Sequence, residues 1–438
     1  MSNKYFFNCF LGVAVFLASC SGPNLRSDDL QLTLIYSGNM NGELEPCGCS
    51  EGGDLGGVKR RATLLQDLRQ HNPELIVVSG GGLVAHESSR DRLRSAFLLT
   101  GLATMQYDAI AVQWQDLAYG TGFIDAAPLP WVASNWLGES INKQRIIERP
   151  GISLAFFSWL DPDKDPSGKM QAAQPKVDGN TGALLQHLAK AKAAGHLTLL
   201  STTYSLPQVQ EKIPLGDVDI LLIEASYEVF GPPQHINHTL VLQPGSRGMR
   251  LGRADLRVSG NRITGFTHEV IPMPKSIPDA ANLAQWYEQY NSQVKAEYLK
   301  RSAIRKAMRA GASVYAGVEV CGQCHQAAHE KWSASEHAKA FADLEAVGKS
   351  FDPDCIVCHT VGFEQDGGFI DLAMTENLIN VQCENCHGAG QAHAEAGGTK
   401  PLGNKGWTPA QMCAQCHIGS HSPDFNLQVY WPKIAHGK

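Results

Sequence analysis

The chain lacks an excess of positive charge. Its 438 residues include 37 lysines and arginines against 43 aspartates and glutamates, so the formal net charge is −6. A protein that binds nucleic acid needs a basic surface to neutralise phosphates, and this composition predicts no nucleic-acid partner. Charged residues are also few, at 18%, whereas hydrophobic residues make up 43%. This balance excludes wholesale disorder and predicts two or three globular domains.

Long apolar runs are scarce as well. The most prominent, Phe6–Leu17, follows a lysine and is too short to span a bilayer permanently, which is typical of an export signal. The segment ends in Leu-Ala-Ser-Cys at Cys20 and there resembles the bacterial lipobox. The resemblance implies a signal peptide over residues 1–19, a lipid on Cys20 that holds the protein on a membrane, and a tether over residues 20–29. Serine rather than aspartate follows the cysteine, which implies the outer membrane of a Gram-negative bacterium, at its periplasmic or cell-surface face. Ordinary signal cleavage is the alternative.

Cysteine is scarce over the first 320 residues and frequent after them. Eight of the 12 cysteines and nine of the 16 histidines lie beyond residue 320. The cysteines recur there as fixed pairs, each followed by histidine, which predicts a cofactor-rich module rather than a disulfide framework. We call residues 312–438 the C-terminal module.

Residues 30–275, the N-terminal domain, alternate short apolar runs with helical patterns, which predicts a layered α/β domain. Most apolar runs lack polar alternation, as strands buried on both faces do. The predicted strands are Leu32–Tyr36, Leu75–Ser79, Ala109–Val112, Leu154–Phe157, Leu197–Ser201 and Ile220–Glu224, and the helix candidates are Val58–Arg69, Arg90–Met105 and Ala183–Ala194. Residues 276–311 form a predicted helical connector, which includes an amphipathic helix over Ala280–Arg309.

Four Cys-x-x-Cys-His sequences mark the C-terminal module. Two thiols at this spacing can form thioethers with one haem, and the next histidine can ligate its iron. The thioether candidates are Cys321, Cys324, Cys355, Cys358, Cys383, Cys386, Cys413 and Cys416, and the proximal ligands are His325, His359, His387 and His417. The motifs predict four covalently attached c-type haems. Tetrahedral zinc, the alternative, leaves the four histidines unexplained.

Five further histidines of the module are candidates for the opposite iron ligand. We favour His337, His393 and His436 over His329 and His421. Two axial imidazoles saturate an iron, which suits electron transfer rather than catalysis at the metal. Five candidates for four positions also leave open that one haem is five-coordinate.

The module resembles the cytochrome c-554/c-prime family. The first motif is followed by Trp332 and by Ser335-x-His337-Ala338, the second by Thr360-x-Gly362, and the third lies in Gln382-Cys-Glu-x-Cys-His-Gly388. The resemblance implies a mainly helical, loop-rich domain whose closely packed haems pass electrons between redox protein partners, with donor and acceptor unspecified.

Four features of the N-terminal domain form a recognisable set: the strand Leu32–Tyr36, the turn Gly56-Gly57-x-Lys59-Arg60, and segments 107–120 and 243–253. In these features the domain resembles the metallophosphatase domain of secreted 5′-nucleotidases, whose Gly-Gly-x-x-Arg turn corresponds to residues 56–60. The resemblance implies a layered αββα sandwich.

The metal ligands that this family would supply are missing. The aligned segments are Asn39-Met40-Asn41, Gly80-Gly81-Gly82, Trp114-Gln115-Asp116, Thr202-Thr203 and Glu224-Ala225-Ser226-Tyr227, in which Asp116 is the only expected acid that remains. Two divalent metals need several carboxylate and imidazole ligands. We therefore predict no dinuclear metal centre and no phosphoesterase activity.

Cys47 and Cys49 form a Cys-x-Cys pair in the same region. A redox-active disulfide, a soft-metal site and a pair of structural cysteines all remain open for it.

The sequence predicts electron transfer by an exported, membrane-anchored tetrahaem cytochrome that is not an enzyme. In this interpretation the N-terminal domain is a scaffold or a docking surface. The alternatives are a multihaem oxidoreductase with one open haem site acting on a small nitrogen or sulfur compound, and a cytochrome-coupled phosphoesterase.

Overall fold

A computed structural model describes residues 29–47, 54–164, 177–224, 229–309, 311–418, 422 and 424–437. The predicted signal peptide, Cys20, Cys49 and His421 lie outside these residues. Within the described ranges, no helix has the length and apolar character needed to cross a membrane.

Two six-stranded sheets form the N-terminal domain. The first contains, in spatial order, β14 (Arg262–Pro272), β13 (Arg250–Ser259), β1 (Leu30–Ser37), β4 (Ile76–Ser79), β5 (Ala109–Ala111) and β6 (Trp131–Val132). The second contains β11 (Gln234–Ile236), β12 (Thr239–Leu242), β10 (Ile220–Ile223), β9 (Leu197–Thr202), β8 (Ile152–Trp159) and β7 (Arg145–Arg149). A short ribbon of β2 (Pro46–Cys47) and β3 (Leu55–Gly56) lies beside them. The central strands of both sheets pair in parallel. Antiparallel strands lie at both edges of the second sheet and at one edge of the first, whose other edge strand, β6, pairs in parallel.

Successive residues of the central strands alternate between two apolar layers. Leu34 of β1 packs between the sheets with Phe156 of β8, whereas its neighbour Ile35 faces the helices outside the first sheet. Both faces are buried, which explains the continuous apolar runs in the sequence. The helices outside the sheets are α1 (Val58–His71), α2 (Asp91–Ala103), α3 (Thr121–Asp125), α4 (Gly182–Ala193) and α5 (Leu206–Lys212). The predicted αββα sandwich is confirmed, and each predicted central strand is present.

The connector is part of two cores. It contains α6 (Ala284–Met308), 25 residues without glycine or proline, which therefore favour an unbroken helix. Tyr290 and Val294 pack in the core of the N-terminal domain, whereas Tyr298, one turn further on, packs in the core of the C-terminal module. The four-residue spacing places these side chains on one helix face.

The C-terminal module is built of short helices and loops around a small core. Its helices are α7 (Val318–Cys324), α8 (Gln326–Ser333), α9 (Ala340–Ala346), α10 (Pro353–His359), α11 (Leu372–Thr375), α12 (Cys383–His387), α13 (Gln391–Glu395), α14 (Pro409–Cys413) and α15 (Leu427–Ile434). Phe341, Ile356 and Phe369 lie near the centre of the core. This architecture agrees with the predicted helical, loop-rich module.

Candidate haem sites

Each Cys-x-x-Cys-His motif lies on or at the end of a short helix. Cys355, Cys358 and His359 of α10 occupy positions i, i+3 and i+4, which share one helix face. The same helical spacing applies to the motif in α12, whereas α7 and α14 end within or next to their motifs. The local fold thus presents two thiols and an imidazole on one side, as covalent haem attachment requires.

The sequence before three of the motifs sets where their helices begin. The Asp352 side chain caps α10 by accepting the Asp354 N–H, and Pro353 occupies its first turn. Gln382 with Asn385, and Thr408 with Gln411, form reciprocal caps at α12 and α14. Since these caps satisfy helix N–H groups that have no partner within the helix, they fix the register of the cysteines.

Three of the four motif histidines lie opposite a second histidine. The ring centres are 6.3 Å apart for His325 and His393, 5.8 Å for His387 and His436, and 6.2 Å for His417 and His337. An iron held between two imidazoles by bonds of about 2 Å separates the ring centres by about 6 Å. The pairs therefore fit bis-histidine haem ligation, and the three partners are those that the sequence favoured.

Hydrogen bonds orient several of these rings. Nδ1 of His393 lies 2.6 Å from the carbonyl oxygen of Lys400, and Nδ1 of His417 lies 3.1 Å from Oγ of Ser422. Nδ1 of His436 lies 3.0 Å from the carbonyl oxygen of Ile434. A ligating histidine typically engages its second nitrogen in this way, which leaves Nε2 for a metal.

Burial lowers the pKa values of His337, His387 and His417 below the ordinary value for histidine. Neighbouring imidazoles lower those of His337 and His387 further. The lowered pKa values favour the neutral imidazole, which is the form that ligates a metal.

His359 differs from the other three motif histidines. Its Nδ1 hydrogen bonds to the Ala340 carbonyl oxygen, but within the described residues no histidine ring lies opposite it. His329 packs on Trp332, with ring centres 5.6 Å apart, and against Gly322 of its own motif. These contacts place it in a packing position rather than in one of the three histidine pairs.

The motifs meet in pairs. The thiols of Cys321 and Cys383 are close enough to interact, as are those of Cys358 and Cys416, so the first motif lies beside the third and the second beside the fourth. The interaction with Cys383, together with burial, raises the pKa of Cys321. Within the described residues, no group of three or more histidine, cysteine, aspartate or glutamate side chains is placed to hold a metal ion by itself. The arrangement thus fits thioether attachment better than tetrahedral zinc sites.

Two buried side chains beside the third motif belong to the sequence signature of the module, but their contacts were not predicted. Glu384 accepts N–H groups from Ala316, Gly317 and Gly390 at 2.7–2.9 Å, and Gln382 accepts that of Val318 at 2.8 Å. They tie α12 to the start of the first motif. The sequence places both residues in the signature around Cys383, but it gives no sign of these long-range contacts.

In the N-terminal domain, a neutral amide network occupies the place of the missing metal ligands. Asn39 and Gln113 exchange two side-chain hydrogen bonds of 3.0 Å, and Gln113 also donates to the Gly80 carbonyl oxygen at 2.9 Å. Gln115 donates to Asn41 at 3.0 Å. Gln113 was missed in the sequence because it directly precedes the aligned segment 114–116.

Asp116 is buried and contacts backbone rather than an open cavity. It accepts N–H groups from Gly82, Leu83, Val84 and Gln113 at 2.7–3.1 Å. Burial raises the pKa of Asp116 to about 6, against the lowering effect of these hydrogen bonds. The oxygens of Asp116 already accept four hydrogen bonds, and amide side chains occupy the neighbouring positions where metal ligands were expected. The residues present therefore do not fit a dinuclear metal centre.

Both arginines of the glycine turn are buried, Arg61 completely and the aligned Arg60 slightly less so. Arg61 donates to Tyr107 Oη at 3.0 Å and to the Gly248 carbonyl oxygen at 3.1 Å, and so joins the segments that carry the family resemblance. Arg60 instead pairs with Asp54 at 2.8 Å. The helix begins at Val58, which turns Arg61 toward the core.

The cleft at the amide network opens onto the second haem motif. A cavity of about 650 Å³ is lined by Asn39, Gln115 and Arg94 of the N-terminal domain and by Asp354 and Val357 of α10. The fold therefore places the two regions against each other at this cleft.

The chain joins a domain with a phosphoesterase-like α/β fold to a helical module with four Cys-x-x-Cys-His motifs. Residues 320–388 match the family model described as cytochrome c554 and c-prime. The module is also similar to cytochrome c-554 of Nitrosomonas europaea, with 30% identity over 135 residues, covering 24% of this chain and 57% of that protein. The match implies covalently bound c-type haem in an electron-transfer role, and it indicates an exported, periplasmic protein.

Solved structures resemble the N-terminal domain. A 5′-nucleotidase precursor from Thermus thermophilus is similar with a TM-score of 0.54 and 15% identity, covering 61% of this chain and 59% of that chain. The sulfate thiohydrolase SoxB from the same organism is similar with a TM-score of 0.53 and 14% identity, covering 62% and 61%. This chain thus spans about three fifths of each relative, and the likeness is one of fold.

Proposed function

We propose that this protein is an exported electron carrier that holds four c-type haems in its C-terminal module and is anchored to the outer membrane through lipid on Cys20. When bound, haem supplies reversible one-electron exchange at its iron. The observation that carries the proposal is the presence of four motifs, three of whose histidines lie about 6 Å from a second imidazole. The N-terminal domain is a scaffold or docking surface, without phosphoesterase activity.

The histidine pairs also support the proposal through their sequence separation. His325 lies opposite His393, and His337 opposite His417, so each pair joins distant segments. With a small apolar core, the module needs such cross-links to hold its loops in place. Its partners are redox proteins, and acidic residues of the module steer those with basic surfaces.

Mass spectrometry of the exported protein tests haem attachment, and spectroelectrochemistry tests electron exchange. We expect a mass increase of four haems and reversible reduction and oxidation of all of them. Fewer haems, zinc in their place, or irreversible reduction would overturn the proposal. Phosphoester turnover by the same sample would show that the N-terminal domain has an activity of its own.

A second candidate function is supported by His359, which has no histidine opposite it among the described residues. An iron ligated only by His359 on the protein side has an open position for a small nitrogen or sulfur compound. Rapid binding of carbon monoxide to one ferrous haem, together with a high-spin ferric signal, would support this oxidoreductase. A fully low-spin protein that does not bind carbon monoxide would exclude it.

A further inference from the structure

Two arginines of the N-terminal domain form ion pairs with the helix that carries the second haem motif. Arg90 Nη2 lies 2.9 Å from Asp354 Oδ1, and Arg94 Nη1 lies 3.3 Å from Asp354 Oδ2. Arg90 Nη1 also reaches Glu364 at 3.3 Å, and Arg94 Nη2 pairs with Asp91 at 2.8 Å. We call Arg90, Arg94 and Asp354 the arginine clamp.

The clamp lies directly beside the haem attachment point. Asp354 immediately precedes Cys355 in α10 and lies one helical turn before Cys358, on the same helix face. One helical turn is shorter than the distance of about 10 Å over which 0.1 M salt screens a charge. The effect of the Asp354 charge on a group attached through Cys358 is therefore not removed by ions in solution.

The signs of the charges determine the effect on the haem. A carboxylate near the iron favours the more positive ferric state and so lowers the reduction potential, whereas guanidinium groups favour the ferrous state and raise it. Arg90 and Arg94 face three carboxylates, those of Asp354, Asp91 and Glu364. Within this cluster the two arginines supply the positive charge that opposes the effect of Asp354 on the haem.

We propose that the N-terminal domain raises the reduction potential of the haem bound at Cys355, Cys358 and His359 through Arg90 and Arg94. This inference rests on the proposed electron-transfer function and gives the domain a specific part in it. Arg90 and Arg94 do not contact the iron. They hold Asp354 in place and change the electrostatic potential at the haem, so they are positioning residues. The side chains are 24–39% exposed, so each ion pair adds little to stability and its loss leaves the fold intact.

A set of variants tests the sign of the effect. In a redox titration that resolves the individual haems, R90Q/R94Q lowers the potential of one haem, and D354N raises it. In the triple variant R90Q/R94Q/D354N, the reduction potential of this haem lies between the wild-type value and the R90Q/R94Q value, because all three charges are removed. K212Q, which breaks the 2.9 Å pair between Lys212 and Asp163 within the N-terminal domain, leaves every potential unchanged.

Loosening of α10 is the competing explanation, and it makes a different prediction. Both R90Q/R94Q and D354N break the same contacts, so a structural effect would shift the potential in the same direction in both. That result, or unchanged potentials in a protein with its full haem complement, would overturn the inference and leave the proposed function intact. Failure of the wild-type protein to bind haem or to titrate reversibly would instead overturn the proposed function.

Discussion

The N-terminal domain and the C-terminal module differ in the size of their apolar cores and in whether their cofactor-binding residues are present. The N-terminal domain has large apolar layers inside and outside two sheets, but hydrogen-bonded amides fill the place of its expected metal ligands. The C-terminal module has a small core but four complete haem-attachment motifs. A fold held by burial can lose its reactive residues and persist, whereas a module held by its cofactors loses its structure with their attachment residues.

Loss of one haem should produce the largest effect. Replacing Cys383 and Cys386 by serine removes both thioethers of the third motif, so we expect one haem fewer and a much less stable module. Mass spectrometry gives the haem count, and thermal unfolding followed by haem absorbance gives the stability. Unchanged haem content would contradict the assignment of these cysteines. A C47S variant, outside the haem motifs, should keep the full haem complement.

Loss of one opposite ligand should have a smaller effect. His337→Ala removes the ring that lies 6.2 Å from His417, so we expect one haem to change from low spin to high spin with haem content unchanged. Electron paramagnetic resonance of the ferric protein measures the change. His329→Ala is the matched control, because His329 packs on Trp332 instead, and its spin states should equal those of wild type. The same change in both variants would refute the pairing.

Removal of Asp116 tests the N-terminal domain alone. Asp116→Ala leaves four buried N–H groups without their acceptor, at a cost of about 3 kcal/mol in the free energy of unfolding. Denaturant unfolding followed by tryptophan fluorescence should show this loss, while the haem spectrum and potentials stay the same. An altered haem spectrum would mean that the two regions are coupled more tightly than their separate cores suggest.

A buried lysine at the domain contact should have a somewhat smaller effect. Lys349 Nζ lies 2.7 Å from Glu45 and 2.8 Å from Asn291 of the connector. Lys349→Met removes the ion-pair partner of Glu45, which keeps its hydrogen bond from Tyr287, and that of the buried Asp352 at 3.3 Å. The substitution should lower the free energy of unfolding by about 2 kcal/mol. K212M is the control, since Lys212 pairs with Asp163 inside one domain. Equal stability of K349M and K212M would contradict a specific contact at Lys349.

The smallest predicted effect is on pH dependence. Because the pKa of Asp116 is raised to about 6 in the folded protein, the native state binds its proton more tightly than the unfolded state. The contribution of this proton to the free energy of unfolding is fully present below the ordinary carboxyl pKa and is lost as the pH rises through 6. Between about pH 5 and pH 7, wild type should lose about 1 kcal/mol relative to Asp116→Asn. Parallel stability curves for the two proteins would contradict this.

Much of this structure was predictable from the sequence, because periodicity and spacing are local signals. The continuous apolar runs predicted the strands, and the Cys-x-x-Cys-His spacing placed the attachment residues on common helix faces. The pairing of His325 with His393 depends on long-range packing and carries no local signal. The same is true of the Asn39–Gln113 network and of the contacts of Arg90 and Arg94 with Asp354, which join residues far apart in the chain.

Electron paramagnetic resonance of the fully oxidised protein, with haem and metal stoichiometry on the same sample, tests the central claim most directly. The account predicts four haems per chain, at least three of them low-spin with two imidazole ligands, and no additional stoichiometric metal. Fewer haems, several high-spin signals, or two further divalent ions per chain would contradict it.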